Sequence, residues 1–484
     1  MGFIKITYIF CGLILFVYGL NSLTLSVIYL YKRKEIWKEQ NFENVKTWPV
    51  VSVQLPIYNE GELVKGLLHS ITNMDYPREK LQIQILDDSI DVTTSLLKKI
   101  VKRYEREGFW IEYYHRSDRK GFKAGNLANG LIKAKGEFIL ILDADFEPDK
   151  QLLKKSIPYF IDDRIGFVQT RWTNRNYHEN LITYLGGIAY DAHLFVEQNA
   201  RSRAGLFMGF SGSAGIWRKK CLTSIGGWNW GALTEDIDIS FRAQLQGWKG
   251  VYVMEALSSA ELPNKMNGYK LQQHRWAKGS AQCFRRYFLL VAKAPIPLKV
   301  KVMALLHLLS YVTIPCMPIL LLLVLPICLF GGDFISLFWW MALGGVGPAI
   351  TFMIAQLEQK HRLMDRLIHL PLVLLMAAGI SLDALSGVIS GLLMTGGDFI
   401  RTPRVAEGIL NGKNEIKSNF LNYLTVAEIL MSAYLCVTVV ILWPTIGKYL
   451  APWLLSTSAG YLLMAGTSIV QSLDRPAKAI GQEY

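Results

Sequence analysis

An α/β domain set into a bundle of apolar membrane helices is the fold class this chain predicts. Three observations carry it. The 484 residues are 51% hydrophobic and 12% aromatic, which is too apolar for a soluble enzyme of this length. Long apolar runs stand at the start of the chain and again beyond residue 300. Between them, from 48 to 275, short apolar strands alternate with polar helices, the pattern of a mostly parallel sheet with right-handed crossovers.

The first element is the run 6–31, "ITYIFCGLILFVYGLNSLTLSVIYLY", followed at once by "KRK" at 32–34. It is long enough to span a bilayer. No small-residue cleavage pattern interrupts it, so it reads as a retained helix. The positive-inside rule puts residue 32 in the cytosol and Met1 outside. The domain at 48–275 is then cytosolic. "VVSVQLP" (50–56) reads as a buried strand, with a polar helix from Glu60. "LQIQILDDS" (81–89) is a second strand, 92–107 a helix, 109–114 a strand, 124–134 a helix and "EFILILDAD" (137–145) a further strand.

Beyond the domain, further membrane runs lie at 302–330, 335–357, 422–443 and 449–471. "EQKHRLMDR" (358–366) is basic and belongs in the cytosol. The stretch 364–396 reads as an interfacial or re-entrant helix, with a membrane-crossing hairpin as the alternative. If its apolar run at 367–396 crossed, "DFIRTPR" with Lys413 and Lys417 would lie outside, and Asp383 would sit in hydrocarbon at about 2.5–3.5 kcal/mol on insertion scales. That gives five spans and a cytosolic tail at 472–484. Residues 177–203 and 276–301 mix apolar and basic side chains; they suit the headgroup plane or packing on the soluble domain.

The net charge of +13 is spread along the chain without an Arg/Lys-rich tail. That speaks against nucleic acid and for juxtamembrane positives plus a small anionic substrate. The six cysteines form no CxxC and no metal-ligand spacing, so they read as reduced structural thiols. No G-x-G-x-x-G and no Walker loop is present.

Acidic residues stand where strands stop: Asp87 and Asp88 after "IQIL", Asp143 and Asp145 after "ILIL". Open α/β sheets bind ligands beyond the carboxyl ends of their strands, so both pairs should face one crevice. Asp143 and Asp145 are spaced to share a hard cation such as Mg²⁺ or Mn²⁺ with substrate phosphates. In "TEDID" (234–238) Asp236 is the candidate base for an attacking hydroxyl; a capping box with Thr234 as N-cap is the bland alternative. In "LQQHRWAKG" (271–279) a helix would put Gln272 and Trp276 on one face, with Arg275 beside them. An arginine can hold a diphosphate bidentately, an indole offers a flat face to a sugar ring, and an amide can bond hydroxyls.

On these motifs the chain resembles the membrane-embedded processive family 2 glycosyltransferases: cellulose synthase and, more closely, cellulose-synthase-like mannan and glucan synthases. "LDDSID" is similar to the family's first aspartate motif, which contacts the nucleoside of a nucleotide sugar. "FKAGN" (122–126) resembles the KAGN segment and implies Lys123 near phosphate. "DAD" looks like the metal-binding DxD. "GFSGSAGIWR" (209–218) resembles the acceptor-lining segment, bringing in Gly212 and Ser213. "TED" looks like the catalytic-base motif, with Glu235 beside Asp236, and "QQHRW" resembles QxxRW. "FIRTPR" (399–404), within 397–418, resembles the FxVTxK gating loop and carries over Phe399, Thr402 and Arg404; arginine stands there in place of both Val and Lys.

The resemblance implies a GT-A fold, an inverting transfer from UDP-glucose or GDP-mannose, Mg²⁺ or Mn²⁺ as cofactor, and a growing β-linked polysaccharide that leaves through the protein's own channel. It also implies a multi-pass membrane protein, in a bacterial cytoplasmic membrane or, alternatively, the Golgi. The short tail after 472 leaves no room for a cyclic-dinucleotide domain, so that form of activation is not expected. Two rivals stand: transfer of one sugar to a membrane lipid, and a transporter whose cytosolic domain only binds nucleotides.

Overall fold

The computed structural model describes residues 2–33, 47–231, 233–330, 334–359, 363–393 and 418–473. The chain opens with helix α1 (Gly2–Lys32) and enters the sheet domain. Its first half is β1 (Val51–Ile57), α2 (Gly61–Thr72), β2 (Leu81–Asp87), α3 (Thr93–Arg106), β3 (Ile111–His115), α4 (Phe122–Lys133) and β4 (Phe138–Ile141), each close to the expected bounds. The second half adds β5 (Glu147–Pro148), α5 (Leu152–Ser156), β6 (Ile165–Asn174), α6 (Leu181–Asp191), α7 (Gln198–Arg203), β7 (Gly215–Arg218), α8 (Lys219–Ser224), α9 (Glu235–Leu245), β8 (Lys249–Ala260) and α10 (Met266–Lys293).

Among the described residues, eight strands form one sheet in the order β3-β2-β1-β4-β7-β6-β8-β5. β1 runs parallel to β2 and β4, and β2 to β3. β7 is antiparallel to both β4 and β6, and β6 is parallel to β8. The alternation of side chains along a strand divides the core. Val53, Leu55, Ile83, Ile85 and Leu140 pack on one face; Leu86, Ile139, Ile141, Leu127 and Trp217 pack on the other. Because β1, β2 and β4 are parallel, their carboxyl ends share one edge, and the site forms there.

The remaining helices are α11 (Leu298–Leu308), α12 (Cys316–Phe330), α13 (Phe334–Gln359), α14 (Leu363–Gly379), α15 (Ser381–Leu393), α16 (Ser418–Leu442) and α17 (Lys448–Leu473). Among the described residues, four stretches are long and apolar enough to cross a membrane: Gly2–Lys32, Leu363–Leu393, Tyr423–Thr445 and Lys448–Ser472. α1 docks on α13 through small and hydroxyl residues, with Ser22 and Ser26 hydroxyls 2.7 and 2.8 Å from that of Thr351, a common way for helices to approach closely in lipid.

Three boundaries differ from the sequence reading. The run 302–330 is not one helix: α11 stops at Leu308 and α12 restarts at Cys316 with 15 residues, short of the roughly 20 a span needs. The stretch 364–396 is divided at Ile380 between α14 and α15. The boundary placed at 275/276 falls inside α10, one continuous helix of 28 residues. In the segment 177–203, Ile182, Leu185 and Ile188 are buried in one cluster with Val373 and Met376, so α6 packs on α14 and α13 and joins the sheet domain to the apolar helices.

Candidate active site

One cavity of about 190 Å³ opens at the carboxyl edge of the sheet. Asp88, Lys123, Asp143, Asp145, Glu235 and Asp236 line it from the sheet domain, and Gly212, Gln272, Arg275 and Trp276 complete its wall. Ten of the residues singled out in the sequence therefore converge from six separate segments.

Asp87 and Ser213 do not line it. Successive strand residues point to opposite faces, so only one of Asp87 and Asp88 can turn inward. Asp87 is fully buried and accepts hydrogen bonds from the Ser89 amide (2.8 Å), Thr94 (3.0 Å) and Tyr113 (2.7 Å), with His115 Nδ1 at 3.2 Å; it braces β2 against β3. Asp88 takes the guanidinium of Arg116 bidentately, at 2.8 and 2.6 Å. Burial raises the Asp88 carboxyl above its usual range, and Arg116 opposes that rise. Ser213 sits beneath the site, where its hydroxyl accepts from the Asp143 amide at 2.9 Å. Phe399, Thr402 and Arg404 lie outside the described residues.

Lys123, at the start of α4, bridges two acidic motifs. Its ammonium is 2.6 Å from Asp143 Oδ1 and 3.7 Å from Glu235 Oε1, and it donates to the Gly212 carbonyl at 2.9 Å. Burial alone would lower its pKa; Asp143 and Glu235 hold it above the ordinary value.

α9 begins at Glu235, with Glu235, Asp236 and Asp238 in its first turn, where the helix dipole favours acids. The capping box does not form. The Thr234 side chain makes no cap bond; its hydroxyl lies 3.4 Å from Cys283 Sγ on α10. Burial pushes the Asp236 carboxyl up to about 7, Glu235 adds to the rise, and the Ile237 amide and Lys123 oppose it. Asp238 is spent on structure, accepting from Arg242, Arg286 and Tyr287, which ties α9 to α10. Gly212 has φ of +85°, and a Cβ there would lie 3.3 Å from Asp236 Oδ2. Gly212→Ala therefore adds backbone strain of about 1–2 kcal/mol and crowds that carboxylate. The expected result is a lower melting temperature and a turnover reduced more than the loss of folded protein explains.

On α10, Gln272 and Trp276 do share a face, and Tyr190 marks it. Its hydroxyl donates to Gln272 Oε1 at 3.3 Å, and its ring meets the indole edge-on at a centroid distance of 5.6 Å. Burial lowers the pKa of the Arg275 guanidinium, while Glu235, Asp236 and Asp143 pull the other way. Tyr190, Arg116, Tyr58 and Arg119 were not singled out in the sequence. The Arg119 guanidinium lies 3.3 Å from the centroid of the Tyr58 ring, and both residues line the cavity. Tyr58 stands just past the end of β1, so applying the strand-end rule to β1 as well would have found it.

Among the described residues no group of three or more His, Cys, Asp or Glu side chains is placed to hold a metal ion. The donor set nevertheless suits one that also binds phosphate. Asp143 and Asp145 offer hard oxygens at the edge of the cavity, and Mg²⁺-type sites commonly take one or two carboxylates and complete themselves from substrate phosphates and water.

Residues 49–279 match the family model for glycosyltransferase like family 2, and residues 217–342 match that for cellulose synthase. A probable glucomannan 4-beta-mannosyltransferase 6 of Oryza sativa subsp. japonica is 38% identical over 247 residues, which are 50% of this chain and 43% of that protein. Glucomannan 4-beta-mannosyltransferase 1 of Cyamopsis tetragonoloba is 37% identical over 253 residues, 51% of this chain and 48% of that protein. The aligned stretch thus spans under half the length of these relatives. A mannosyltransferase from Pyrobaculum calidifontis, solved with GDP-Man and Mn²⁺, superposes with a TM-score of 0.55 at 18% identity, over 79% of this chain and 99% of that one, and so shares the fold. The glycosyltransferase like family 2 pattern thus covers the sheet domain, residues 49–279, and the cellulose synthase pattern runs from β7 through α10 into the apolar helices.

Proposed function

We propose that the chain is a membrane-embedded, metal-dependent, inverting hexosyltransferase that builds a β-linked polysaccharide from a nucleotide-sugar donor and passes it into its own bundle of apolar helices. The observation that supports this reading best is the meeting of Asp145, Asp236 and Trp276 in one cavity, with Trp276 on α10, the helix that lies against α15 of the apolar region. Such a cavity brings together a cation site, a base and an aromatic platform.

Asp88 with Arg116, and Tyr58 with Arg119, would hold the nucleoside end of the donor. A bound Mg²⁺ or Mn²⁺ at Asp143 and Asp145 would neutralise charge on the departing diphosphate. Lys123 and Arg275 supply two further cations facing that group. On donor binding Lys123 would exchange Asp143 for phosphate oxygen. Trp276 and Tyr190 would hold the terminal sugar of the acceptor, and Gln272 its hydroxyls. Asp236 would take the proton from the attacking hydroxyl as its oxygen bonds to the anomeric carbon and the bond from that carbon to the diphosphate breaks. Glu235, beside it, keeps Lys123 in place. One displacement inverts the anomeric centre. The relatives named above are mannosyltransferases, which supports a GDP-mannose donor. Their names and the cellulose synthase match favour a polymer over a single-sugar glycolipid.

The test is an assay on membranes holding the full chain, with GDP-mannose and UDP-glucose, followed by size and linkage analysis. Nucleoside diphosphate release with a product that resists lipid extraction is the expected result. A product soluble in organic solvent would favour the glycolipid rival, and no release from any donor would favour the transporter. EDTA should remove both donor binding and turnover, and Mn²⁺ or Mg²⁺ should restore them; full activity in the chelator would exclude the cation.

The pH dependence follows from Asp236. A base works only when ionised, so kcat/KM, which reports the free enzyme, should climb with pH and level off above about 7. The sign for stability is opposite. A carboxyl whose folded value lies above its ordinary 3.8 favours folding at low pH and loses that contribution as pH rises through about 7. Asp236→Asn should therefore gain stability relative to the wild type as pH rises. A flat kcat/KM between pH 5.5 and about 8 would remove Asp236 from the rate equation.

A further inference from the structure

Three ionisable side chains are buried where the first turns of α10 meet α15 and α16, and none of them lines the cavity. Lys270 precedes Arg275 and Trp276 on α10 and donates to Glu428 Oε2 of α16 at 2.7 Å, with side chains 1% and 0% exposed. Asp383, in the first turn of α15, is 1% exposed and feels the charge of both. Asp383 is therefore buried inside the bundle and does not face lipid.

α15 itself rests on α10. A Cβ at Gly387 would lie 2.6 Å from the His274 carbonyl oxygen, and one at Gly391 would lie 2.3 Å from that of Lys278. His274 Nδ1 is 3.2 Å from the Asp383 carbonyl, and Arg285 donates to the Leu392 carbonyl at 2.9 Å. The helix that carries Gln272, Arg275 and Trp276 is thus seated on α15 by backbone contact and fastened to α16 by one buried ion pair.

Stability does not explain the pair. Removing two charges from water costs more than their attraction commonly returns, and well-packed apolar residues in their place are often neutral or stabilising. The best-attested use of such groups is to fix register and orientation. Ionisable residues among apolar helices mark function by default.

We propose that Lys270, with Glu428 and Asp383, is a positioning device that sets the rotation and height of α10, so that Trp276 and Arg275 point at the reacting centre while the bundle that receives the product stays aligned with them. The inference rests on the transferase reading above.

The test uses the full chain in membranes or detergent and three variants: Lys270→Met, Lys270→Arg, and the apolar pair Lys270→Met with Glu428→Leu. Melting temperature, donor KM, kcat and product length are measured for each. The apolar pair should fold with a melting temperature at or above wild type and keep donor KM within about twofold, while kcat and product length fall by about tenfold to a hundredfold, the scale of an ångström misplacement. Lys270→Arg, which keeps the charge, should recover most of that loss. A folded apolar pair with wild-type kcat and product length overturns the proposal and leaves the pair a packing element. So does a loss confined to donor KM, or a failure of every variant to fold. An inactive wild type would instead sink the transferase reading, and this inference with it; an active wild type with an equally active double variant sinks this inference alone.

Discussion

Asp236→Asn should lower kcat by about a thousandfold or more while metal-dependent donor binding persists. General-base catalysis is worth about 10²–10⁴, and the substitution removes it with little else. The amide has the size of the carboxyl, and its oxygen can still accept from the Ile237 amide, now at 2.8 Å. The neighbours that would hold donor, Asp88, Asp143, Asp145 and Lys123, are untouched. Loss of a buried charge should also raise the melting temperature at neutral pH. The measurement is single-turnover product formation beside calorimetric donor affinity in Mn²⁺. Turnover within about threefold of wild type, which is under 1 kcal/mol in the barrier, would rule Asp236 out as base. Glu235→Gln is the control, because Glu235 lies 3.7 Å from Lys123 and its loss should act on donor KM first.

Trp276→Ala should abolish elongation while leaving nucleotide-sugar binding largely intact. The indole and the Tyr190 ring, edge-on to each other, both line the cavity. Burying the apolar face of a sugar against it is worth about 1–3 kcal/mol, or about fivefold to 150-fold in acceptor affinity. A polymerising enzyme meets that loss at every addition, so chain length should fall far more steeply than the rate of a single transfer. Size analysis of the product beside the rate of donor consumption separates the two. Wild-type chain lengths from this variant would refute the acceptor role. Trp276→Phe should recover part of the length, since a smaller ring keeps a flat face.

The half of the sheet that was legible is the half made of strand–helix–strand repeats. β1, β2, β3 and β4 read directly because apolar runs of about four to seven residues alternate with helices. β6, β7 and β8 did not. β7 has only four residues, and charged residues interrupt the apolar pattern of β6 at Arg171 and of β8 at Glu255, so neither length nor alternation marked them. The capping-box reading of Thr234 failed for a related reason: a hydroxyl at a helix start can cap only if nothing competes for it, and here α10 packs over it, with Gly279 and Cys283 against its side chain.

By itself the sequence determined which residue types stand at the strand ends, that 272 and 276 share a helical face, and that long apolar helices flank the α/β domain. These are local properties, set by periods of 2.0 and 3.6 residues and by burial of apolar side chains. Only the tertiary structure decided that Asp88 enters the cavity and Asp87 braces β3, that Tyr190 lines the cavity beside Trp276, and that Lys270, Asp383 and Glu428 are buried together inside the bundle. Those outcomes depend on which face of a strand turns inward and on contacts between residues more than a hundred positions apart, and no local pattern encodes such pairings.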